Sequence, residues 1–256
     1  MPDTAEEHQK ATIVWRKNHA EDLWSIRIRP EQRLTFEPGQ YATLGVQVSA
    51  EVLERPYSIV SSPKEDEVEF FFELVRRGGL TPRLYALQVG DPSLMRREAK
   101  GLFTLDDQSG HKQHYLVCTV TGVSPYVSMV RTLVHEAKEG RPIDLKVVVL
   151  QAASRSREFA YHDELAGLAQ EFDWLHYIPT VSRPWEDPSW RGEVGRVEDV
   201  LRKHLDSLGL EPSNTTAYLC GQPQMIQNSK GILERKGFAK EFIREELYWA
   251  PQKQGN

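Results

Sequence analysis

Only two cysteines occur in 256 residues, Cys118 and Cys220, and they lie far apart in the chain. A cysteine-ligated iron–sulfur cluster needs more thiolates than that, and a structural zinc site or a disulfide is disfavoured as well. Long apolar runs are also missing, so no segment reads as a transmembrane helix. Met1 to Lys10 is polar and acidic and holds no apolar signal-peptide core, which predicts a cytoplasmic address. A formal net charge of −5 gives no reason to expect a nucleic acid partner. Repeats and low-complexity tracts are absent too.

What remains is the composition of a soluble globular protein, 39% apolar and 27% charged, long enough for two ordinary domains. The first part reads as short strands separated by turns, the pattern of an all-β sandwich or barrel. Runs at Thr12–Trp15, Leu23–Ile28, Tyr41–Leu44, Arg55–Val60 and Glu67–Val75 carry it. A helix is predicted from Leu80, with Thr81 as its cap, Pro82 in its first turn, and Leu84, Leu87 and Val89 on its apolar side. Gly90-Asp91-Pro92 ends it. After the polar stretch Asp106–Gln113 the grammar changes, and strands at Tyr115–Thr119, Leu145–Leu150, Leu175–Pro179 and Thr216–Cys220 alternate with helices. The helices are expected at Pro125–Lys138, Asp163–Phe172, Val197–Leu208 and Pro223–Lys236. Such alternation predicts a parallel sheet with both faces covered. The expected architecture is an antiparallel β-barrel over residues 1–108 followed by an α/β domain over 109–256.

Several short segments carry chemistry. Arg55-Pro56-Tyr57-Ser58 places a guanidinium, a flat ring and a hydroxyl beside a strand. A guanidinium can fork onto a pyrophosphate, a phenol can cover an aromatic ring system, and a serine hydroxyl can reach a ring nitrogen. Taken alone, the tetrapeptide also describes a strand edge with a surface arginine. In open α/β sheets ligands bind at the carboxyl ends of the strands, which directs attention to two strand-to-helix turns. In Val120-Thr121-Gly122-Val123-Ser124-Pro125, a small residue and hydroxyls let backbone amides at a helix start approach a pyrophosphate. Cys220-Gly221-Gln222-Pro223-Gln224-Met225 puts a thiol at a strand tip, followed by a glycine for close approach and a proline in the first helical turn. Arg155, Ser182, Arg183, Arg191 and Arg196 follow other strand ends, where converging arginines make a phosphate site.

In combination these motifs resemble the ferredoxin–NADP⁺ reductase superfamily, in particular the bacterial ferredoxin/flavodoxin reductases, from Pro38-Gly39-Gln40-Tyr41 to Tyr248-Trp249. The resemblance implies FAD and NADP(H) as cofactors and hydride transfer at flavin N5, with electrons passed singly to a ferredoxin or flavodoxin. It implies that Arg55 binds the FAD pyrophosphate, Tyr57 stacks on the isoalloxazine beside Pro56, and Ser58 sits near N5. Gly79-Leu80-Thr81 would complete the pyrophosphate cradle and Trp249 would stack on the flavin. Thr121, Gly122, Gly221 and Met225 would line the pyridine nucleotide, with Cys220 against the nicotinamide and Glu246 as a proton carrier. Ser182-Arg183 and Gly195-Arg196 match positions that grip a 2′-phosphate. Two departures stand out: Val120 replaces the family's first loop glycine, and Ser154 stands where bacterial members often carry an arginine, displacing Arg155 by one. The basic stretch Arg76, Arg77, Arg83, Arg96, Arg97 and Lys100 suits an acidic carrier, and a monomer is expected. The competing readings are an NADH-linked reductase component of an oxygenase, a flavin electron-transfer subunit that has lost pyridine nucleotide binding, and a nucleotide-binding scaffold without flavin.

Overall fold

The computed structural model describes residues 7–247. Contacts divide the chain into two compact units. The first comprises the chain up to Asp106 together with Ser124–Asp144 and Arg157–Gly167; the second comprises Asp107–Val123, Leu145–Ser156 and the chain from Leu168.

Six antiparallel strands build the first unit: β1 (His8–Asn18), β2 (Leu23–Pro30), β3 (Tyr41–Val48), β4 (Glu51–Ser58), β5 (Val68–Glu73) and β6 (Pro92–Lys100). Their order is β4-β3-β6-β1-β2-β5. The two outer strands of that order meet through a bridge between Ile59 and Phe70, and the Val60 amide donates to the Glu69 carbonyl at 2.9 Å. These contacts close the sheet into a barrel, which removes both edges. Alternate residues of β2, Trp24, Ile26 and Ile28, enter the barrel core with Phe70 and Phe72 of β5. Trp24 stacks on Phe72 at 5.0 Å.

Strand β6 corrects the sequence reading, which leaves 93–100 as a basic stretch after a helix. Only Ser93 and Met95 are buried there, too few apolar positions to mark a strand. Pairing with β1 on one side and β3 on the other makes it one. The helix α1 (Thr81–Ala86) is also shorter than expected, and Thr81 does not cap it. Leu80 holds the cap position without a side-chain bond. A tight turn, with the Gly78 amide on the Val75 carbonyl at 2.7 Å, folds the loop back on itself. The Thr81 hydroxyl therefore accepts from the Val75 amide at 3.0 Å and donates to its carbonyl at 3.3 Å.

Two helical segments complete this unit, α2 (Ser124–Lys138) and the first part of α3 (His162–Glu171). A buried polar network ties them to the barrel. Glu69 on β5, 1% exposed, receives Arg131 of α2 at 2.9 Å, Arg27 of β2 at 3.0 Å and the Tyr161 hydroxyl at 2.9 Å. Arg131 also forks onto Glu164 of α3 at 2.6 and 2.9 Å. The Tyr161 and Ser25 hydroxyls lie 2.6 Å apart, and His19 Nε2 lies 2.9 Å from Ser25.

The second unit is a parallel sheet: β7 (Gln113–Thr119), β8 (Lys146–Ala153), β9 (Leu175–Val181), β10 (Glu193–Val194), β11 (Thr215–Gly221) and β12 (Ile243–Leu247). The order is β10-β9-β8-β7-β11-β12. Val117, Leu150 and Leu219 on one face pack against Val197, Leu201 and Leu205 of α4 (Val197–Ser207) and Ile226 and Leu233 of α5 (Pro223–Lys236). Strands β10 and β12 are absent from the sequence reading. One has two residues and the other reads Ile-Arg-Glu-Glu-Leu, an edge strand whose charges hide its pairing.

Candidate functional site

In the first unit the candidate residues gather at the end of β4. Its ladder with β3 pairs Tyr41 with Ser58 and Ala42 with Tyr57. The turn that starts β3 depends on Gly39, whose φ of +101° is left-handed and where a Cβ would overlap the Phe103 carbonyl oxygen. Arg55 is exposed, and its only bond among the described residues is to the Glu54 carbonyl at 2.7 Å. No carboxylate of the described residues pairs with it. Tyr57 is half-buried, its ring meeting Phe72 edge-on at 4.8 Å. Burial pushes its phenol up to about 12 against the pull of Arg55, so the hydroxyl stays protonated. Pro56 is exposed and Ser58 buried. Glu54, the neighbour of Arg55, is engaged elsewhere: Arg96 Nε binds its two oxygens at 3.0 and 3.2 Å and His8 lies at 2.8 Å. The Arg96 hydrogen bonds hold the Glu54 carboxyl down at about 2. Gly79, Leu80 and Thr81 form the loop before α1, with Gly79 exposed and open enough that a Cβ would only touch Leu53 at 3.3 Å.

In the second unit the candidates lie at the carboxyl ends of the central strands. Cys220 of β11 is in register with Cys118 of β7 on one side and Glu246 of β12 on the other. In a sheet such neighbours share a face, so the thiol and the carboxylate stand side by side. Cys220 is fully buried, and Glu246 is partly exposed. The two turns interlock. A Cβ on Gly122 would overlap the Cys220 carbonyl, one on Gly221, at φ +127°, would overlap the Thr119 hydroxyl, and that hydroxyl accepts from the Gln222 amide at 3.0 Å. Gln222 then caps α5, its side chain accepting from the Met225 amide at 2.7 Å with Pro223 in the first turn. The Met225 side chain packs in the core of the unit. Gly221, Gln222, Pro223 and Met225 thus each have a local physical reason to be in this run.

Val120 opens a short 3-10 turn, Val120–Val123, at φ 42°. A β-branched residue in the left-handed region is strained. Thr121 follows it in the same turn, half-buried. Val120→Gly should relieve that strain and raise the unfolding midpoint by roughly 2–4 °C, an offset to the flexibility glycine adds to the unfolded chain. A scanning-calorimetry trace showing a lower midpoint would contradict the strain argument.

The arginines divide. Arg155 and Arg183 both pair with Glu186, Arg183 at 3.7 Å. Arg191 is exposed and donates to the carbonyls of Pro188 and Trp190 at 2.7 and 2.8 Å, while Arg196 caps α4 through its amide on Asp199 at 3.1 Å. Ser182 bonds back to the Ala153 carbonyl, extending the β8–β9 pairing. The structure brings Arg155 and Arg183 to one carboxylate and engages the Arg191 guanidinium with nearby carbonyls, whereas the bond at Arg196 is made by its backbone amide.

The oxidoreductase NAD-binding domain family matches residues 116–231. The ferredoxin–NADP reductase of Azotobacter vinelandii is 31% identical over 229 residues, covering 84% of this chain and 84% of that protein. The chain belongs to the ferredoxin–NADP reductase family. A second member of the family, the flavodoxin/ferredoxin–NADP reductase of Escherichia coli strain K12, is 29% identical over 220 residues, 84% of this chain and 85% of that one. Among solved structures, a ferredoxin NADP⁺ reductase from Neisseria gonorrhoeae with bound FAD and NADP superposes with a TM-score of 0.81 at 23% identity, covering 95% of this chain and 99% of that one. The fold of a family member, barrel and parallel sheet, is therefore the fold of this chain.

Trp249, expected from the resemblance to stack on the flavin, lies outside the described residues. Sequence reasoning missed Gln222 as the α5 cap, Glu186 between the arginines, and the Glu69–Arg131 network. A signal for Glu69 was present, since an acid inside the run Val68–Phe72, buried on both faces, has to be paired. Nothing in the sequence pointed to Glu186.

Proposed function

We propose that this member of the family is an FAD-dependent ferredoxin/flavodoxin–NADP⁺ reductase, its first unit holding FAD and its second NADP(H). The observation that carries the reading is Arg55, an exposed guanidinium without a carboxylate among the described residues, two positions from the half-buried ring of Tyr57. That donor set fits a flavin nucleotide: a cation for the pyrophosphate, a protonated phenol ring for the flavin face, and Ser58 for a ring nitrogen. The second unit fits a dinucleotide, because Gly122 and Gly221 let the turns after two adjacent parallel strands close on each other at the carboxyl end of the sheet, where such ligands bind. Bound FAD would supply the ring that accepts a hydride and releases electrons singly. The protein's own residues do the rest: Arg55 anchors, Gly79, Leu80 and Thr81 bound the pyrophosphate loop, and Cys220 packs against the nicotinamide with Glu246 beside it as proton carrier.

The carrier protein docks through exposed basic residues, for which Arg77, Arg83, Arg97 and Lys100 are the better candidates. Arg96 is engaged by Glu54 and Glu7, and Arg76 by Glu21 at 2.7 Å. The enzyme works as a cytoplasmic monomer; among the described residues no helix is long and apolar enough to cross a membrane.

Anaerobic mixing of the yellow protein with NADPH tests the reading. Flavin absorbance should bleach within seconds, and Cys220→Ala should bleach more slowly while retaining its FAD. A colourless protein, or a yellow one that NADPH leaves unbleached, would end the proposal; an unchanged rate in the variant would return Cys220 to a packing role.

A further inference from the structure

A carboxylate already sits where the arginines of the second unit converge. Arg155, just past β8, donates through Nη2 to Glu186 Oε2, and Arg183, just past β9, brings Nη1 to 3.7 Å from Oε1. The adjacent Asp187 accepts from the Ser156 amide at 2.7 Å, so two successive acids fasten the turn after β8 to the loop after β9. The Glu186 side chain is about one-third exposed and Arg155 less than one-quarter, so the pair is within reach of a ligand. A guanidinium recognises carboxylate and phosphate by the same forked geometry.

We propose that Glu186 is a resident competitor for the 2′-phosphate and sets how strongly this protein prefers NADPH over NADH. The inference rests on the second unit being the NADP(H) site. A 2′-phosphate reaching Arg155 and Arg183 must displace a carboxylate or bind beside its negative charge. A ribose 2′-hydroxyl meets no such cost, because it can donate to the carboxylate, as acidic residues at strand ends do in NAD-binding folds. Ser154 adds no further cation beside the pair, so Arg155 and Arg183 both share their charge with Glu186. Discrimination is therefore narrower than the arginine content alone implies, and NADH is a usable donor.

The test compares the full flavoprotein with its Glu186→Gln variant by calorimetry, using 2′-phospho-AMP and AMP as probes. Glutamine keeps the shape and removes the charge. The variant should bind 2′-phospho-AMP about fivefold more tightly and AMP unchanged, with the gain shrinking as salt rises. The ratio of kcat/KM for NADPH over NADH should rise by the same factor through KM. Glu186→Ala should move both measurements in the same direction. Equal affinity of parent and variant for 2′-phospho-AMP, with normal NADPH turnover, overturns the role of Glu186 and leaves the reductase reading intact. Failure of both proteins to bind either probe removes the nucleotide site itself and this proposal with it.

Discussion

Arg131→Ala should cost about 3–5 kcal/mol of stability, seen as a large fall in the urea midpoint, because it leaves a buried carboxylate short of its main counter-charge. Glu69 is 1% exposed, and burial by itself would drive its carboxyl up. Arg131 and Arg27, with the Tyr161 hydroxyl, overcome that and hold it below its ordinary value. Removing Arg131 also releases the fork onto Glu164 and the cation over the Tyr161 ring at 5.6 Å. Glu69→Gln should cost less, since Arg131 keeps Glu164 and no charge is stranded on β5. A loss below about 1 kcal/mol in Arg131→Ala would mean the barrel and α2 are held by packing alone.

The same cluster, with the separate Glu54–Arg96 pair, predicts acid sensitivity. A carboxyl whose folded pKa is lowered contributes stability above its unfolded value, and loses it as pH falls through the folded one. Glu69 and Glu54 are of this kind, Glu54 from 4.5 down to about 2. His19, brought from 6.5 to about 4 by burial and then by Lys17, must charge on unfolding and so weakens the fold across that interval. Stability should decline steadily from near neutral pH to about pH 2, and Arg131→Ala should flatten the part that belongs to Glu69.

Arg55→Ala should raise the FAD dissociation constant roughly 10- to 100-fold, the loss of one or two charge-assisted hydrogen bonds to a phosphate. Ultrafiltration after prolonged dialysis reads it directly as flavin in the filtrate. Riboflavin, which has no phosphate, should bind parent and variant alike, and that separates anchoring from a general loosening of the barrel. Arg55 is exposed and its one bond within the described residues is to its neighbour's carbonyl, so the variant keeps its fold. Full FAD retention in Arg55→Ala would remove the anchor role and weaken the flavin reading with it.

Local chemistry explains why the proposed site could be read as short runs. Each motif is contiguous: Arg55 to Ser58 lie on one strand, and Cys220 to Met225 make one strand end, turn and helix cap. Apolar runs likewise mark β7, β8 and β11, whose residues are buried on both faces over most of their length, while β9 is buried mainly at its ends. Strand β6 was illegible for the converse reason, since its outward arginines and glutamate look like a solvated loop until β1 and β3 supply partners. Thr81 was misread as a cap because the chain's reversal at Gly78, which turns its hydroxyl to Val75, depends on a backbone bond rather than on residue type.

The sequence by itself determined the fold class and the family, and it marked the runs we propose for flavin and nucleotide, because those depend on short runs of side chains whose spacing sets their geometry. Only the tertiary structure decided which charges are already spent. Glu69 finds Arg131 across 62 positions, Glu54 finds Arg96 across 42, and Glu186 finds Arg155 across 31. Such pairings are set by how strands and helices are brought together in three dimensions. They decide that Arg55 has no carboxylate partner among the described residues, that Arg96 is committed to the fold, and that Arg155 is paired with a carboxylate.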